Sequence, residues 1–234
     1  MTASDPSEGN GLSALLRTLQ HSDSFFPSGA VAFSYGLESL CADGQVTTAE
    51  EVERFLLGQL RGRWAPCDRG VLVAAYRAGD DLEGVERADG LQEAMALPQE
   101  LREGSRWAGA ALLRVHAELG TRNAEAFQER VSAGRTPGHL AAVQGLVWRG
   151  VGLREEQACA ASAHGLCVAL LGAALRLGVI GHVGAQRLLA GLRPALADLL
   201  AAAPPVLEEV HGFAPLAEVA AMRHETQAGR LFAS

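Results

Sequence analysis

Lysine is absent from this chain: all 20 of its basic residues are arginine. That excludes a G-x-x-x-x-G-K-[ST] phosphate loop, which needs a lysine on the nucleotide phosphates. It also excludes a Schiff-base lysine. If GTP or ATP drives the task of this protein, another protein has to bind it. Isoleucine occurs once, at position 180, and there is no alternating β-branched run of strand type. Cysteine is sparse. Cys41, Cys67, Cys159 and Cys167 form no C-x-x-C pair and are too few for a disulfide scaffold. Positive charge is short as well. A net charge of -7 argues against a sequence-independent grip on nucleic acid, and equally against docking on anionic lipid. Neither G-x-S-x-G nor H-E-x-x-H occurs, and no catalytic constellation emerges.

Met1 to Asn10 is polar and carries Asp5 and Glu8. Without a basic stretch leading into an apolar one, it reads as a flexible tail rather than a signal peptide, and the cytosol is the expected compartment. Gln157 to Leu175 runs 19 residues without formal charge, close to membrane-spanning length. It is built from Ala, Gly, Ser and Cys around His164, so a buried central helix accounts for it better than a membrane span.

What is present is helical patterning. Leu12, Leu15, Leu16 and Leu19 follow i, i+3, i+4, i+7. Thr48 and Glu51 form a capping box ahead of Val52, Phe55, Leu56 and Leu60, and Pro66 is expected to stop that helix. Val71, Leu72, Ala75 and Tyr76 mark the next. Leu101, Ser105, Ala108, Leu112, Val115 and Leu119 give a heptad-like seam. Further helices follow Pro137-Gly138 and run through Leu188 to Leu199, with a kink at Pro194; the last starts at Pro215. The expectation is an all-α, single-domain bundle of about ten helices over residues 11–234, after the flexible tail of 1–10. The aromatic segment and the seam offer more apolar surface than one core readily takes, so a homodimer is expected.

Two segments stand out as partner-facing. Ser22 to Glu38 places Phe25, Phe26, Phe33 and Tyr35 in eleven residues around Pro27 and Gly29. Such rings are core or interface anchors, with core the better reading for Phe33. Leu216 to Ser234 carries an apolar stripe and then Met222, Arg223, His224, Glu225, Arg230, Leu231 and Phe232. The expectation is that Met222 to Ser234 is a loosely ordered segment that becomes fixed on a partner, with Leu231 and Phe232 as anchors. His164 and Cys167, i and i+3 on one helix, are weak candidates for a soft metal, but two ligands do not close a site.

These segments together resemble the UreF family of urease accessory proteins. The resemblance rests on Phe26, Pro27, Gly29, Ser34, Gly36, Leu37 and Glu38, then on Leu101 to Arg106 with Gly109 and Leu112. Gly138-His139 with Gly145 and Gly184-Ala185-Gln186 follow, and Met222 to Ser234 is the most specific stretch. Ala30 and Tyr35 depart from the pattern, standing where many members have glycine or another residue. The resemblance implies an all-helical, non-enzymatic homodimer without a tightly bound cofactor. It would bridge a UreD/UreH-type accessory protein and the UreG GTPase, so that nickel is inserted into apo-urease with hydrolysis of GTP bound by that partner. A helical metal-dependent hydrolase, a metal-binding protein outside urease maturation, and a membrane-associated protein are the rival readings.

Overall fold

The computed structural model describes residues 6–23, 26, 33–227 and 229–232. Among them are twelve α-helices: α1 (Pro6–Ser22), α2 (Leu37–Ala42), α3 (Ala49–Gln59), α4 (Arg69–Ala78), α5 (Leu82–Met95), α6 (Gln99–Glu118), α7 (Ala124–Ser132), α8 (Leu140–Gly150), α9 (Glu155–Arg176), α10 (His182–Gly191), α11 (Arg193–Ala201) and α12 (Pro215–His224). No β-strand occurs among the described residues, as the all-α expectation requires. The first helix begins at Pro6, inside the stretch expected to be a flexible tail.

The capping box at Thr48 and Glu51 forms: the Thr48 hydroxyl accepts from Glu51 N, and the Glu51 carboxylate accepts from Thr48 N. Pro66, expected to stop the helix, does not. The chain passes through it in a nine-residue π-helical segment, Leu60–Asp68, and continues directly into α4. The wider turn accommodates the proline and leaves two carbonyls for the chain beyond α11: Gly62 O accepts from Phe213 N (2.7 Å) and Pro66 O from His211 N (3.1 Å). At Pro194 the sequence suggested a kink. The helix instead breaks, α10 ending at Gly191 and α11 starting at Arg193, with the proline in the first turn, where its missing N–H has no helical acceptor to lose. The seam on α6 is shifted as well. Its buried face is Gly104, Ala108, Gly109, Leu112, Leu113 and His116, while Leu119 is exposed.

Two apolar cores result. One gathers Val71, Leu72, Leu113, Phe127, Val143 and Trp148 between α4, α6, α7 and α8. The other gathers Leu37, Val52, Leu56, Trp64, Leu170 and Leu171 around α2, α3 and the second half of α9. Helix α9 runs through both, giving Ala158, Cys159 and Ala161 to the first and Ala163, Cys167 and Leu170 to the second. That accounts for its apolarity on every side. It is long and apolar enough to cross a membrane by length and composition, yet most of it lies inside the molecule.

Helices approach closely where glycine permits. A Cβ on Gly145 would collide with Leu72 O on α4, and one on Gly109 with Gly138 O ahead of α8. The start of α8 is tied down by Asp89, whose buried carboxylate accepts from the Thr136 hydroxyl, Gly138 N (2.6 Å) and His139 N (2.7 Å). Ser105 Oγ accepts from Leu140 N. The donors left open at a helix start are thus closed from α5 and α6 rather than by His139 itself. On the opposite flank α1 lies against α9. His21 stacks on His116 of α6 with ring centroids 5.1 Å apart, and Phe26 sits 4.9 Å from His21.

The close helix contacts can be tested by substitution. Gly145→Ala forces backbone against backbone and is expected to cost about 2 kcal/mol of unfolding free energy in urea titrations. Gly90→Ala, on an exposed turn of α5 with open space around it, is expected to gain about 1 kcal/mol. Stability should also depend on pH through His116. Burial, reinforced by His21, pushes His116 down to about 4, so the fold holds the neutral ring while the unfolded chain takes up the proton. That contribution is present above the ordinary histidine pKa and is lost as pH falls from about 6.5 toward 4. Stability curves at pH 7 and pH 5 should therefore converge in a His116→Gln variant relative to the parent chain.

Candidate functional site: a clasp between the terminal motifs

The site is built from the two segments that the sequence marked as partner-facing, and they face each other. Tyr35 and Gly36 take left-handed backbone conformations, φ 55° and 85°. This is routine for glycine and costs about 1 kcal/mol for tyrosine. The turn they make starts α2 and brings Gly36 so close to α12 that a Cβ would meet Ala217 O at 2.6 Å. Helix α12 lays Ala217, Ala220, Ala221 and His224 against this surface, and α2 and α6 both pack on it.

His224 is fully buried. Its Nδ1 lies 2.7 Å from Glu100 Oε2 and its Nε2 2.9 Å from Glu38 Oε2. The ring thus bridges the two carboxyl groups, one on each nitrogen. Arg230 Nη1 donates to the other Glu100 oxygen (2.8 Å). Leu231 N donates to Glu38 Oε1 (2.7 Å) and Phe232 N to Glu38 Oε2 (3.1 Å). Two glutamates, a histidine, an arginine and two backbone amides from α2, α6, α12 and the tail thus form one network. Phe232 closes it from above, buried beneath Arg176, whose guanidinium carbon is 4.1 Å from the ring centroid.

The tail expected to be loose in the free chain is therefore bound to its own body. Phe232, expected as an interface anchor, is an internal one, and His224 and Glu38 are likewise internal. The reason is that a buried carboxylate at position 38 requires donors, and the tail brings three. Ser34 and Gly36 are also buried. Phe26 is half-buried against His21 and His116. Phe25, Pro27 and Gly29 lie outside the described residues. The members that do face outward are Met222, Arg223, Glu225, Arg230 and Leu231. Leu231 is 71% exposed, and Arg223 pairs across the surface with Asp43 at 2.8 Å. Cys167, the weak metal candidate, is core, and burial pushes its thiol up to about 11, which keeps it in the protonated, poorly ligating form. His164, one turn away, is half-buried.

Sequence reading missed Glu100. Its position in the first turn of α6 is sufficiently explained by the helix dipole, so nothing in its neighbours signalled a partner 124 residues away.

The outer surface beside the clasp is apolar. Leu216, Val219 and Met222 line the outer face of α12, flanked by Phe213 and Leu231, all at least 44% exposed. On α1, Leu12, Leu15, Leu16 and Leu19 are each more than half exposed.

Glu38→Ala removes the acceptor for three donors and leaves them buried. Breaking a buried pair in this way is expected to cost about 3 kcal/mol. Hydrogen exchange at the Leu231 and Phe232 amides should accelerate far more than at the amides of α4 and α8. Unchanged protection at these two amides would contradict the clasp.

Comparison with known proteins places the chain beside one family. Residues 46–193 match the family model described as UreF. The chain is 34% identical over 232 residues to the urease accessory protein UreF of Trichodesmium erythraeum, covering 95% of this chain and 98% of that one. It is 31% identical to the protein of the same name from Brucella ovis, covering both chains completely. It is also 31% identical to that of Kocuria rhizophila, covering 95% and 98%.

Proposed function

Because this chain belongs to the UreF family of urease accessory proteins, we propose that it is the non-enzymatic adaptor of a nickel-delivery complex. It bridges a UreD/UreH-type accessory protein and the UreG GTPase, acts as a cytoplasmic homodimer, and presents that assembly to apo-urease. Nickel is handled by the complex, GTP is bound by the GTPase, and this chain holds neither tightly.

The observation that carries this reading is the pair of uncovered apolar helix faces. Four leucines on α1 and the Leu216–Val219–Met222 face of α12 point away from the body. A helix apolar on both sides, as α12 is, is ordinarily covered on both, and exposed patches of this kind mark interaction surfaces. Fixing the tail with the clasp keeps Leu231 beside the α12 face in one geometry, so the partner meets an ordered surface and less ordering cost is left to the binding step. The absence of lysine and of a phosphate loop supports leaving nucleotide chemistry to the partner. A helical metal-dependent hydrolase would need three converging ligands. Among the described residues no three His, Cys, Asp or Glu side chains gather in that way.

The test is co-expression with the UreD/UreH-type protein, the GTPase and apo-urease. Leu12→Asp with Leu16→Asp, and separately Val219→Asp, are expected to leave the fold intact by circular dichroism. Each should reduce partner recovery and urease activation at least about ten-fold, the loss of one buried hot-spot side chain. The isolated chain should show no GTP turnover. Turnover without the GTPase, or full activation by both variants, would overturn the adaptor reading.

A further inference from the structure

Beyond α11 the chain returns along the π-helical segment, and one line of residues holds it there. Residues 202–214 carry a single 3-10 turn, Leu207–Glu209, and otherwise form no helix. Arg69, buried at the start of α4, fixes where they begin. Its Nη1 donates to Leu199 O (2.6 Å) and its Nη2 to Leu200 O (3.1 Å) and Ala202 O (2.8 Å), carbonyls that the end of α11 leaves without helical donors. Gly70 comes next: a Cβ there would stand 2.6 Å from Val210 Cγ2 and 2.9 Å from Pro205 Cγ. His211 N then donates to Pro66 O, and Phe213 N to Gly62 O. Gly62, Pro66 and Gly70 are four residues apart, roughly one helical turn, so they share one face. The returning chain lies antiparallel along it.

Pro66 explains why Gly62 O can take an outside donor. In an α-helix that carbonyl would accept from the nitrogen four residues on, and a proline nitrogen carries no hydrogen. Phe213 N supplies the bond instead, at 2.7 Å. The approach is so close that a Cβ on Gly62 would collide with Phe213 O and stand 3.3 Å from Phe213 C and 3.6 Å from Ala214 Cβ. The amide and the carbonyl of Phe213 are thus both held, yet its ring is 72% exposed. An exposed ring on a fixed backbone suits a binding anchor, because only its own side-chain torsions remain to be ordered when a partner covers it. Phe213 also leads directly into α12, whose outer face opens at Leu216.

We propose that Phe213 is the aromatic anchor of the face that α12 presents, and that the π-helical turn at Pro66 is the device that holds it in place. The proposal rests on the adaptor reading of that face. The occupant is a partner protein offering an apolar pocket for the ring, the same protein that covers Leu216, Val219 and Met222. Gly62 and Pro66 are positioning residues: they act on the partner only through Phe213. The clasp fixes the end of α12 at His224, and the π-helical turn fixes its start.

The test measures affinity for the UreD/UreH-type protein in Phe213→Ala, in Gly62→Ala and in the two combined. Phe213→Ala is expected to weaken binding at least about 30-fold, the loss of one hot-spot side chain. Gly62→Ala keeps the ring but displaces its backbone. It should weaken binding at least about five-fold and speed hydrogen exchange at the His211 and Phe213 amides of the free chain. Because Gly62 acts through the ring, the combined variant should bind within about two-fold of Phe213→Ala alone. Gly58→Ala, one turn earlier on an exposed position with open space around it, should bind like the parent chain. Gly70→Ala presses on the same stretch through Val210 and carries the same expectation if Gly62→Ala does not fold. Parent-like binding by Phe213→Ala, losses that add in the combined variant, or loosened amides without weaker binding would overturn the proposal. If Val219→Asp still loses the partner in that case, the adaptor reading stands. If Val219→Asp also binds normally, both fall.

Discussion

The Glu38 carboxylate sits 4% exposed where α2, α12 and the tail meet, and its charge is tolerable there only because donors surround it. Removing a carboxylate from water costs several kcal/mol unless partners replace the solvent. His224 and the amides of Leu231 and Phe232 do so, and each of those groups is placed by something else. The left-handed Tyr35-Gly36 turn aims Glu38 inward; Gly36 lets α12 approach; Glu100 holds the far side of the His224 ring and the Arg230 guanidinium. A network of this kind contributes less to stability than its number of bonds suggests. Its effect is on uniqueness: with the donors and acceptors matched in one arrangement, the tail has one place to lie.

Much of the architecture was legible in the sequence because it follows from local rules. The leucine stripe of α1, the capping box of α3 and the proline start of α12 are read from a few consecutive residues. The burial of α9 could be inferred from its small residues and missing charge. What could not be read were features that depend on distant partners. The π-helical passage through Pro66 is stabilised by Phe213 and His211, over 140 residues on. Asp89 looks like any acidic residue on a helix until Thr136, Gly138 and His139 are placed beside it. The two terminal motifs were each recognisable as unusual, but their apolar and charged residues were assigned to an outside partner when several of them serve each other.

That pairing bears on how the proposed adaptor would meet a partner. A loose tail would have to be ordered at the moment of binding, and the entropy of a dozen residues would oppose the attraction of the partner surface. Here the ordering is done within the chain, and the residues left outward are a rigid apolar face bordered by Arg223, Glu225 and the exposed Leu231. The α1 leucines form a second face on a helix that is itself docked through the His21–Phe26–His116 rings. Two separated faces on one body suit the proposed role of holding other proteins at a fixed distance.

On the proposed function, the N-terminal and C-terminal motifs act as one unit in shaping the face that meets the partner. The most direct measurement is a double-mutant cycle, Glu38→Gln against His224→Gln, read as affinity for the UreD/UreH-type protein. If the clasp acts as a unit, either single substitution releases the tail and loses most of the affinity. The double variant then loses little more, a coupling of at least about 1 kcal/mol. Losses that simply add, or single variants that bind as tightly as the parent chain, would contradict the account.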